Sequence, residues 1–217
     1  MSQPTPKGHI RQANASVILA AAERVFARAG FGGATMAAIA DEAGLPKANL
    51  HYYFGSKNEL YRAVLDTTLQ GWLAPTHGIT PEADPATALA NYIRDKMRQG
   101  RERPHASRVF ANELLHGGTE IADLLATTLR ALVQDKAAVI DHWVAQGRMA
   151  PVDSTHLFFT IWSATQTYAD FDVQICAVLG RPELTDADHA CATQHVVSLI
   201  LRGCGLSAES APPTQPA

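Results

Sequence analysis

Apolar residues recur along this chain at the three- and four-residue spacing of amphipathic helices. Glycine and proline separate the periodic stretches, and β-branched residues seldom cluster. The expected helices span residues 12–29, 36–43, 47–53, 56–73, 86–102, 104–116, 119–147, 154–179 and 185–203. The pattern therefore predicts an all-α protein.

Two short helices joined by a glycine turn are predicted between residues 35 and 54. Thr35 is suited to cap the first helix, and Gly44 is suited to end it in a left-handed conformation. Pro46 fits the first turn of the second helix, because the amide that proline lacks has no partner there. Two such helices in this order form a helix-turn-helix, which places its second helix in the major groove of DNA.

The second short helix carries polar groups on its outward side, while Leu50, Tyr53 and Phe54 face inward. An ammonium, an amide, an imidazole and a phenol are suited to bind phosphates and base edges. The candidate DNA contacts are Thr35, Lys47, Asn49, His51, Tyr52 and Lys57. Taken singly these are ordinary surface residues. The glycine turn before them and the capping box of Ser56 and Glu59 after them favour DNA binding.

The segment from Ile39 to Lys57 resembles the DNA-binding domain of the TetR family of one-component repressors. That family typically shows A-x-x-A-G-V-S-x-x-x-L-Y-x-Y-F-x-S-K-E-x-L, and this chain reads I-A-D-E-A-G-L-P and then L-H-Y-Y-F-G-S-K. It departs at Pro46, where the family has serine, and at His51, where the family has tyrosine. The resemblance implies a dimeric repressor of operator DNA that a small molecule releases.

Five segments between residues 71 and 171 extend the resemblance to TetR-family regulators of pyrimidine utilisation. The segments are GWLAP at 71–75, RPHASRVF at 103–110, HWV at 142–144, APVD at 150–153 and IWSATQTYADF at 161–171. The resemblance implies that the C-terminal part senses uracil or thymine and that the ligand weakens DNA binding.

The side chains in these segments are chemically compatible with a pyrimidine. A small planar ring with amide-like edges needs flat apolar walls and groups that both donate and accept hydrogen bonds. Trp162 and Gln166 are four residues apart and share one helix face. The expected ligand contacts are Trp72, Trp162, Gln166, Tyr168 and Asn112. On spacing alone, packing in the core is the alternative for each tryptophan.

The length of the chain accommodates one small and one larger domain. We expect a helix-turn-helix domain at 12–55 and a ligand-binding and dimerisation domain at 56–205, of which 56–73 is a connecting helix. The ends, 1–10 and 207–217, are expected to be flexible tails. The last two long helices are expected to form the homodimer through Phe158, Ile161, Val196, Leu199 and Ile200.

Charge and cysteine content narrow the class of protein further. The net charge of −3 divides into +2 for residues 1–72 and −5 for the remainder, so the excess of positive charge lies in the predicted DNA-binding part. The three cysteines have no metal-like spacing, and no cofactor or metal is expected. Without a secretory segment or a run of membrane length, we expect a cytoplasmic bacterial protein.

These observations predict a repressor that binds operator double-stranded DNA as a homodimer and is released by a small pyrimidine such as uracil or thymine. The alternative is a TetR-type repressor of an efflux or catabolic gene that responds to another small molecule. A DNA-binding protein with no ligand would leave Gln166 exposed or bonded within the core. An enzyme is not expected, because the sequence has no nucleophile elbow, phosphate-binding loop or metal-ligand spacing.

Overall fold

The computed structural model describes the backbone of residues 6–207 and the side chains of residues 13–207. All regular elements in this range are helical, which confirms the all-α class. The α-helices are α1 (Pro6–Gly33), α2 (Met36–Ala43), α3 (Lys47–Phe54), α4 (Lys57–Leu73), α5 (Pro85–Glu102), α6 (Pro104–Leu115), α7 (Ala122–Leu124), α8 (Arg130–Ala145), α9 (Ser154–Asp170), α10 (Asp172–Leu179) and α11 (Asp186–Gly203). No helix among them is both long and apolar enough to cross a membrane.

The ends of the short helices follow the capping residues. Thr35 Oγ1 accepts a hydrogen bond of 3.0 Å from the third amide of α2, and Gly44 ends that helix at φ 64°. Before α4, the Ser56 amide donates to Glu59 Oε2 at 2.8 Å, and the Glu59 amide donates to Ser56 Oγ at 3.2 Å. The predicted caps and capping box are therefore confirmed.

Three predicted helices have different bounds in the structure. Helix α1 begins at Pro6 and includes residues 6–10 of the predicted N-terminal tail; residues 1–5 and 208–217 of the two tails lie outside the described residues. The predicted helix at 119–147 is divided into a 3-10 turn, α7, a π-helical turn at Leu125–Leu129 and α8. Apolar spacing over one or two turns does not distinguish these helix types, which explains the error.

The predicted helix at 154–179 is interrupted at Phe171, which has φ −122° and ψ 31°. The Asp172 carboxylate accepts a hydrogen bond of 2.9 Å from the Val173 amide. A short acidic side chain that bonds to a nearby amide competes with the helical hydrogen bond and favours a new helix start. The stretch therefore forms two helices, α9 and α10.

By residue contacts the chain divides into two units. The first contains the residues up to Gln70 together with Arg103–Leu124, and the second contains Gly71–Glu102 and the residues from Leu125 onward. Helix α6 groups with the first unit because it packs against α1. Helix α4 contributes to both units. These two units differ from the predicted domains, which divide the chain after residue 55. The predicted domain boundary therefore stays a prediction.

The core of the second unit is formed where α5 packs against α9 and α11, and where α8 packs against α9. Four residues of the predicted dimer contact lie in this core, buried by their own chain: Phe158, Ile161, Val196 and Ile200. Leu199 is 59% exposed. This corrects the expected interface, because a side chain inside the core of one protomer is not available to a partner.

Candidate functional site

Helix α3 presents its polar face from a firmly held position. Leu50 is completely buried beneath it, and the Tyr53 hydroxyl accepts a hydrogen bond of 3.3 Å from Asn14 Nδ2 on α1. Lys47 is exposed and Asn49 is half-buried, while Tyr52 is 72% exposed. The predicted outward face is therefore present, with Tyr52 its most prominent aromatic ring.

His51 is oriented by the end of its own helix. Its Nδ1 lies 2.7 Å from the carbonyl oxygen of Gly55. Because a carbonyl only accepts, Nδ1 carries the proton, and Nε2 is left to accept from a base or, when protonated, to donate to a phosphate. The backbone at Gly55, with φ 65°, brings this carbonyl within reach.

Lys57 has a structural role that the sequence did not indicate. Its Nζ donates to the carbonyls of Phe31 at 2.7 Å and Ala34 at 3.0 Å and lies 4.4 Å from the centroid of the Phe31 ring. The start of α4 is thereby fastened to the end of α1. Thr35, also a candidate DNA contact, is exposed and uses its hydroxyl as the cap of α2.

Ion pairs hold the first helix of the motif against α1. Glu42 on α2 accepts hydrogen bonds from Arg24 Nε at 2.6 Å and from Arg28 at 3.4 Å. These bonds, that of Arg24 first, hold the pKa of the Glu42 carboxyl below its usual value. The two ion pairs thus brace α2 on α1.

The second group of candidates lies where α9 packs against α5. Trp162 is half-buried, and its indole Nε1 donates a hydrogen bond of 2.7 Å to the hydroxyl of Tyr92. Tyr92 is 1% exposed, and burial raises its pKa to about 12. The hydrogen bond fixes the plane of the Trp162 ring, which leaves the faces of the ring for packing or stacking.

Lys96 lies one turn after Tyr92 on α5 and was missed by the sequence analysis. It is only 3% exposed, and its Nζ lies 4.0 Å from the ring centroid of Trp72, at the end of α4. Burial lowers the pKa of Lys96 to about 7, while the charge of Asp170 acts in the opposite direction. A buried amine thus lies against Trp72, one of the predicted ligand contacts.

The remaining predicted ligand contacts belong to two helices, α9 and α6. Gln166 is half-buried on α9, one turn after Trp162, and Tyr168 is half-buried against the core of the second unit. Asn112 belongs instead to the first unit, where it lines a cavity of about 470 Å³ with Tyr61 and Glu113. Asn112 thus lies on α6, which packs against α1, and its role as a ligand contact stays a prediction.

Comparison with known proteins agrees with the geometry of the motif. Residues 18–64 match the family model described as "Bacterial regulatory proteins, tetR family", and residues 65–207 match "YcdC-like protein, C-terminal region". The chain belongs to the TetR family of transcriptional regulators. This confirms the predicted family and the prediction of a DNA-binding regulator rather than an enzyme.

Individual TetR-family relatives cover nearly the whole chain. The HTH-type transcriptional regulator RutR of Escherichia coli K12 is 41% identical over 191 residues, which are 88% of this chain and 90% of RutR. A tetR-family regulatory protein from Rhodococcus RHA1 gives a TM-score of 0.70 at 22% identity, over 90% of this chain and 98% of that one. The regulator PfmR from Thermus thermophilus gives 0.63 at 22% identity, over 85% and 97%. These two solved structures have the same fold as this chain.

A signal for Lys96 was present in the sequence of this TetR-family chain. Tyr92, Lys96 and Gly100 recur every four residues, and Ile93 and Met97 lie beside them on the same face of α5. A helical projection therefore places the lysine on the apolar face.

Within residues 13–207, no cluster of His, Cys, Asp or Glu side chains is arranged to hold a metal ion.

Proposed function

We propose that this TetR-family regulator is a repressor that binds operator DNA as a dimer and releases it when a small pyrimidine, uracil or thymine, binds the second unit. The observation that carries the proposal is the row of Trp162 and Gln166 along α9, with Trp72 at the end of α4 as a second indole. Indoles stack on a planar ring, and one amide pairs with an adjacent carbonyl and imino group. This fits the resemblance to the pyrimidine-utilisation regulators.

The exposed face of α3 supports the DNA-binding half of the proposal. Lys47, His51 and Tyr52 offer groups suited to phosphates and base edges. Pro46 provides no side-chain cap for α3, so the first turn keeps amides that are free to bind a phosphate. We expect α3 to enter the major groove and Thr35, Asn49 and Lys57 to flank it.

Helix α4 is the proposed link between ligand and DNA. It begins at Lys57, which is bonded to the carbonyls at the end of α1, and its last turn carries Trp72 against Lys96. A ligand that stacks on Trp72 repositions this indole and with it the end of α4. Since two recognition helices must reach successive major grooves, a shift of α4 in each protomer weakens operator binding. By linkage, operator DNA weakens ligand binding by the same factor.

Calorimetric titration with uracil and thymine tests the ligand. We expect saturable binding by the wild type and at least about tenfold weaker binding by Gln166→Ala, because a bidentate amide contact contributes about 1–3 kcal/mol. Gln134→Ala removes an exposed amide from α8 and is the matched control, with unchanged affinity. Absence of binding by every pyrimidine would overturn the ligand assignment while leaving the family assignment in place.

Binding to an operator selected from random DNA tests the response. We expect uracil to weaken binding by the wild type and to have no effect on Gln166→Ala, while Lys47→Ala should weaken binding with or without uracil. An operator affinity that uracil leaves unchanged, in a protein that binds uracil, would contradict the proposed release.

A further inference from the structure

The first unit contains a cavity of about 470 Å³, lined by residues of α1, α4 and α6 and of the turn at Thr119–Ile121. All of its described lining residues belong to this unit, which also contains the helix-turn-helix. A cavity of this size accommodates a small organic molecule. The row of Trp162 and Gln166 lies in the second unit, so the proposed pyrimidine does not account for this cavity.

Three aromatic side chains that contact one another line the cavity. The ring centroid of Tyr61 lies 4.9 Å from those of Phe26 and Phe31. Phe26 and Tyr61 are buried, whereas Phe31 is 37% exposed. The faces of aromatic rings attract cations, and the ammonium of Lys57 already lies 4.4 Å from the centroid of the Phe31 ring. Lys57 itself is not among the described residues that line the cavity.

Two carboxylates, Glu113 and Glu120, line the same cavity, and no lysine or arginine is among its described lining residues. Glu113 is held by the Tyr61 hydroxyl at 3.1 Å and the Glu120 amide at 2.9 Å, and Glu120 Oε2 accepts from Asn58 Nδ2 at 3.0 Å. A carboxylate has about four acceptor sites, so both groups can accept further bonds from a ligand. Burial, then the negative charge of Glu113 and lastly that of Glu120 raise the pKa of Tyr61, which indicates a negative potential here.

We propose that this cavity binds a small organic cation, whose apolar body packs against the aromatic rings and whose amidinium or ammonium group pairs with Glu113 and Glu120. His116 adds an acceptor at the exposed rim. Its Nδ1 lies 2.7 Å from the carbonyl oxygen of Asn112, so Nδ1 carries the proton and Nε2 accepts a hydrogen bond. The cation binds the unit that contains the helix-turn-helix and gives the regulator a second effector, which does not depend on the proposed pyrimidine.

Benzamidine and benzamide separate charge from shape, because benzamidine carries an amidinium charge at neutral pH and benzamide is a neutral ring of nearly the same size. We expect calorimetric titration of the full chain to show benzamidine bound at least about tenfold more tightly than benzamide. This preference should fall by about three- to tenfold in Glu113→Gln and in Glu120→Gln, since each removes one negative charge and keeps an acceptor. Asp41→Asn removes an exposed charge from α2 and should leave the preference unchanged.

The nuclear magnetic resonance signals of two histidines locate the bound cation. His116 lines the cavity, and His51 is an exposed histidine of the same unit that does not. We expect benzamidine to shift the imidazole signals of His116 and to leave those of His51 unchanged. Gln166→Ala, which should lose uracil, should bind benzamidine as the wild type does.

Each outcome supports or overturns this inference separately from the proposed function. If benzamidine does not bind, or binds no more tightly than benzamide, the inference fails. If Glu113→Gln weakens both ligands equally, it has only loosened the unit, and Glu120→Gln then decides: an unchanged preference there also overturns the inference. If Gln166→Ala loses benzamidine together with uracil, the cation binds the proposed pyrimidine site and the inference fails alone. If benzamidine shows the expected preference and no pyrimidine binds, the proposed function fails and this inference stands.

Discussion

A single lysine makes the stability of the free protein depend on pH. Burial lowers the pKa of Lys96 from its usual value of 10.5 to about 7. Between these two values the unfolded chain holds a proton that the folded chain has released. Unfolding therefore takes up a proton in this range, and stability rises with pH until the unfolded lysine also loses its proton.

Replacement of Lys96 by methionine should remove this pH dependence. From about pH 7 to about pH 9, we expect the wild type to gain about 2 kcal/mol of unfolding free energy relative to Lys96→Met, because each pKa unit corresponds to about 1.4 kcal/mol. Urea unfolding at a series of pH values measures the difference. Arg94→Met should follow the wild type. A constant difference between wild type and Lys96→Met would show that the folded lysine titrates at its ordinary pKa.

A second buried polar contact belongs to the first unit. The Tyr61 hydroxyl donates to Glu113 Oε2 at 3.1 Å, and Glu113 Oε1 accepts from the Glu120 amide at 2.9 Å. Burial, and then the negative charge of Glu113, raise the pKa of Tyr61. We expect Tyr61→Phe to cost about 1–3 kcal/mol of stability, because a buried carboxylate loses a donor. Thermal unfolding tests this, with Tyr52→Phe at an exposed ring as the control; equal stabilities of the two variants would contradict it.

The sequence predicted the hydrogen bonds of individual residues where the two bonded residues are close together in the chain. The caps at Thr35 and Ser56 bond within three residues, so the spacing alone identifies them. The partner of Tyr61 is 52 residues away, and the Lys96–Trp72 contact joins α5 to the end of α4. Such contacts depend on how helices pack, which periodicity does not specify. A lysine on an apolar helix face also extends its amine to solvent in many proteins, so its burial was not predictable.

At the scale of an element, the end of α1 contains a backbone conformation available only to glycine. Gly30 has φ 67° and ψ 173°, and nothing lies within 4 Å of where its Cβ would be. Gly32 has equally open surroundings and no positive φ. An added methyl group meets no atom at either position. Alanine variants at the two glycines therefore differ in backbone strain and not in steric contact.

Alanine at these two glycines should have opposite effects. Gly30→Ala is expected to destabilise the protein by about 1–3 kcal/mol, because the residue must keep a strained conformation or straighten the helix. Gly32→Ala should stabilise it by about 0.5–1 kcal/mol, because alanine restricts the unfolded chain and favours helix. Chemical denaturation of both variants measures this. Changes of the same sign and size would show that the bend at Gly30 is not maintained in solution.

Helix positions were predictable more fully than helix interruptions and buried faces. The bounds of α2, α3 and α5 lie within a residue of those predicted, because glycine and proline border them. At the break after α9, the Asp172 carboxylate accepts a hydrogen bond from the Val173 amide, and apolar spacing does not reveal such a contact. Similarly, α9 and α11 have apolar residues on more than one face, so periodicity alone did not show which face is in the core.

At the scale of the whole molecule, apolar side chains remain exposed on the last three helices. They lie on the second unit and include Phe159, Phe171, Val173, Val178, Leu179 and Leu199. Exposed apolar patches of this kind commonly mark protein interfaces. TetR-family regulators typically bind operator DNA as dimers, and we infer that a second copy of the chain covers this surface. The dimer interface is thus still expected on α9 and α11. The exposed apolar residues replace the four buried ones in it.

Leu199→Glu tests that surface at a position outside the core. The leucine is 59% exposed on α11, so the substitution should fold. A two-fold interface contains each residue twice, so two glutamates enter it, and we expect the dimer to weaken by on the order of a hundredfold. Light scattering over a range of concentrations measures this, with Leu115→Glu, 78% exposed in the first unit, as the control. Operator affinity should fall in parallel, since one protomer reaches only one half-site. A Leu199→Glu protein that stays dimeric at the wild-type dissociation constant would place the interface elsewhere.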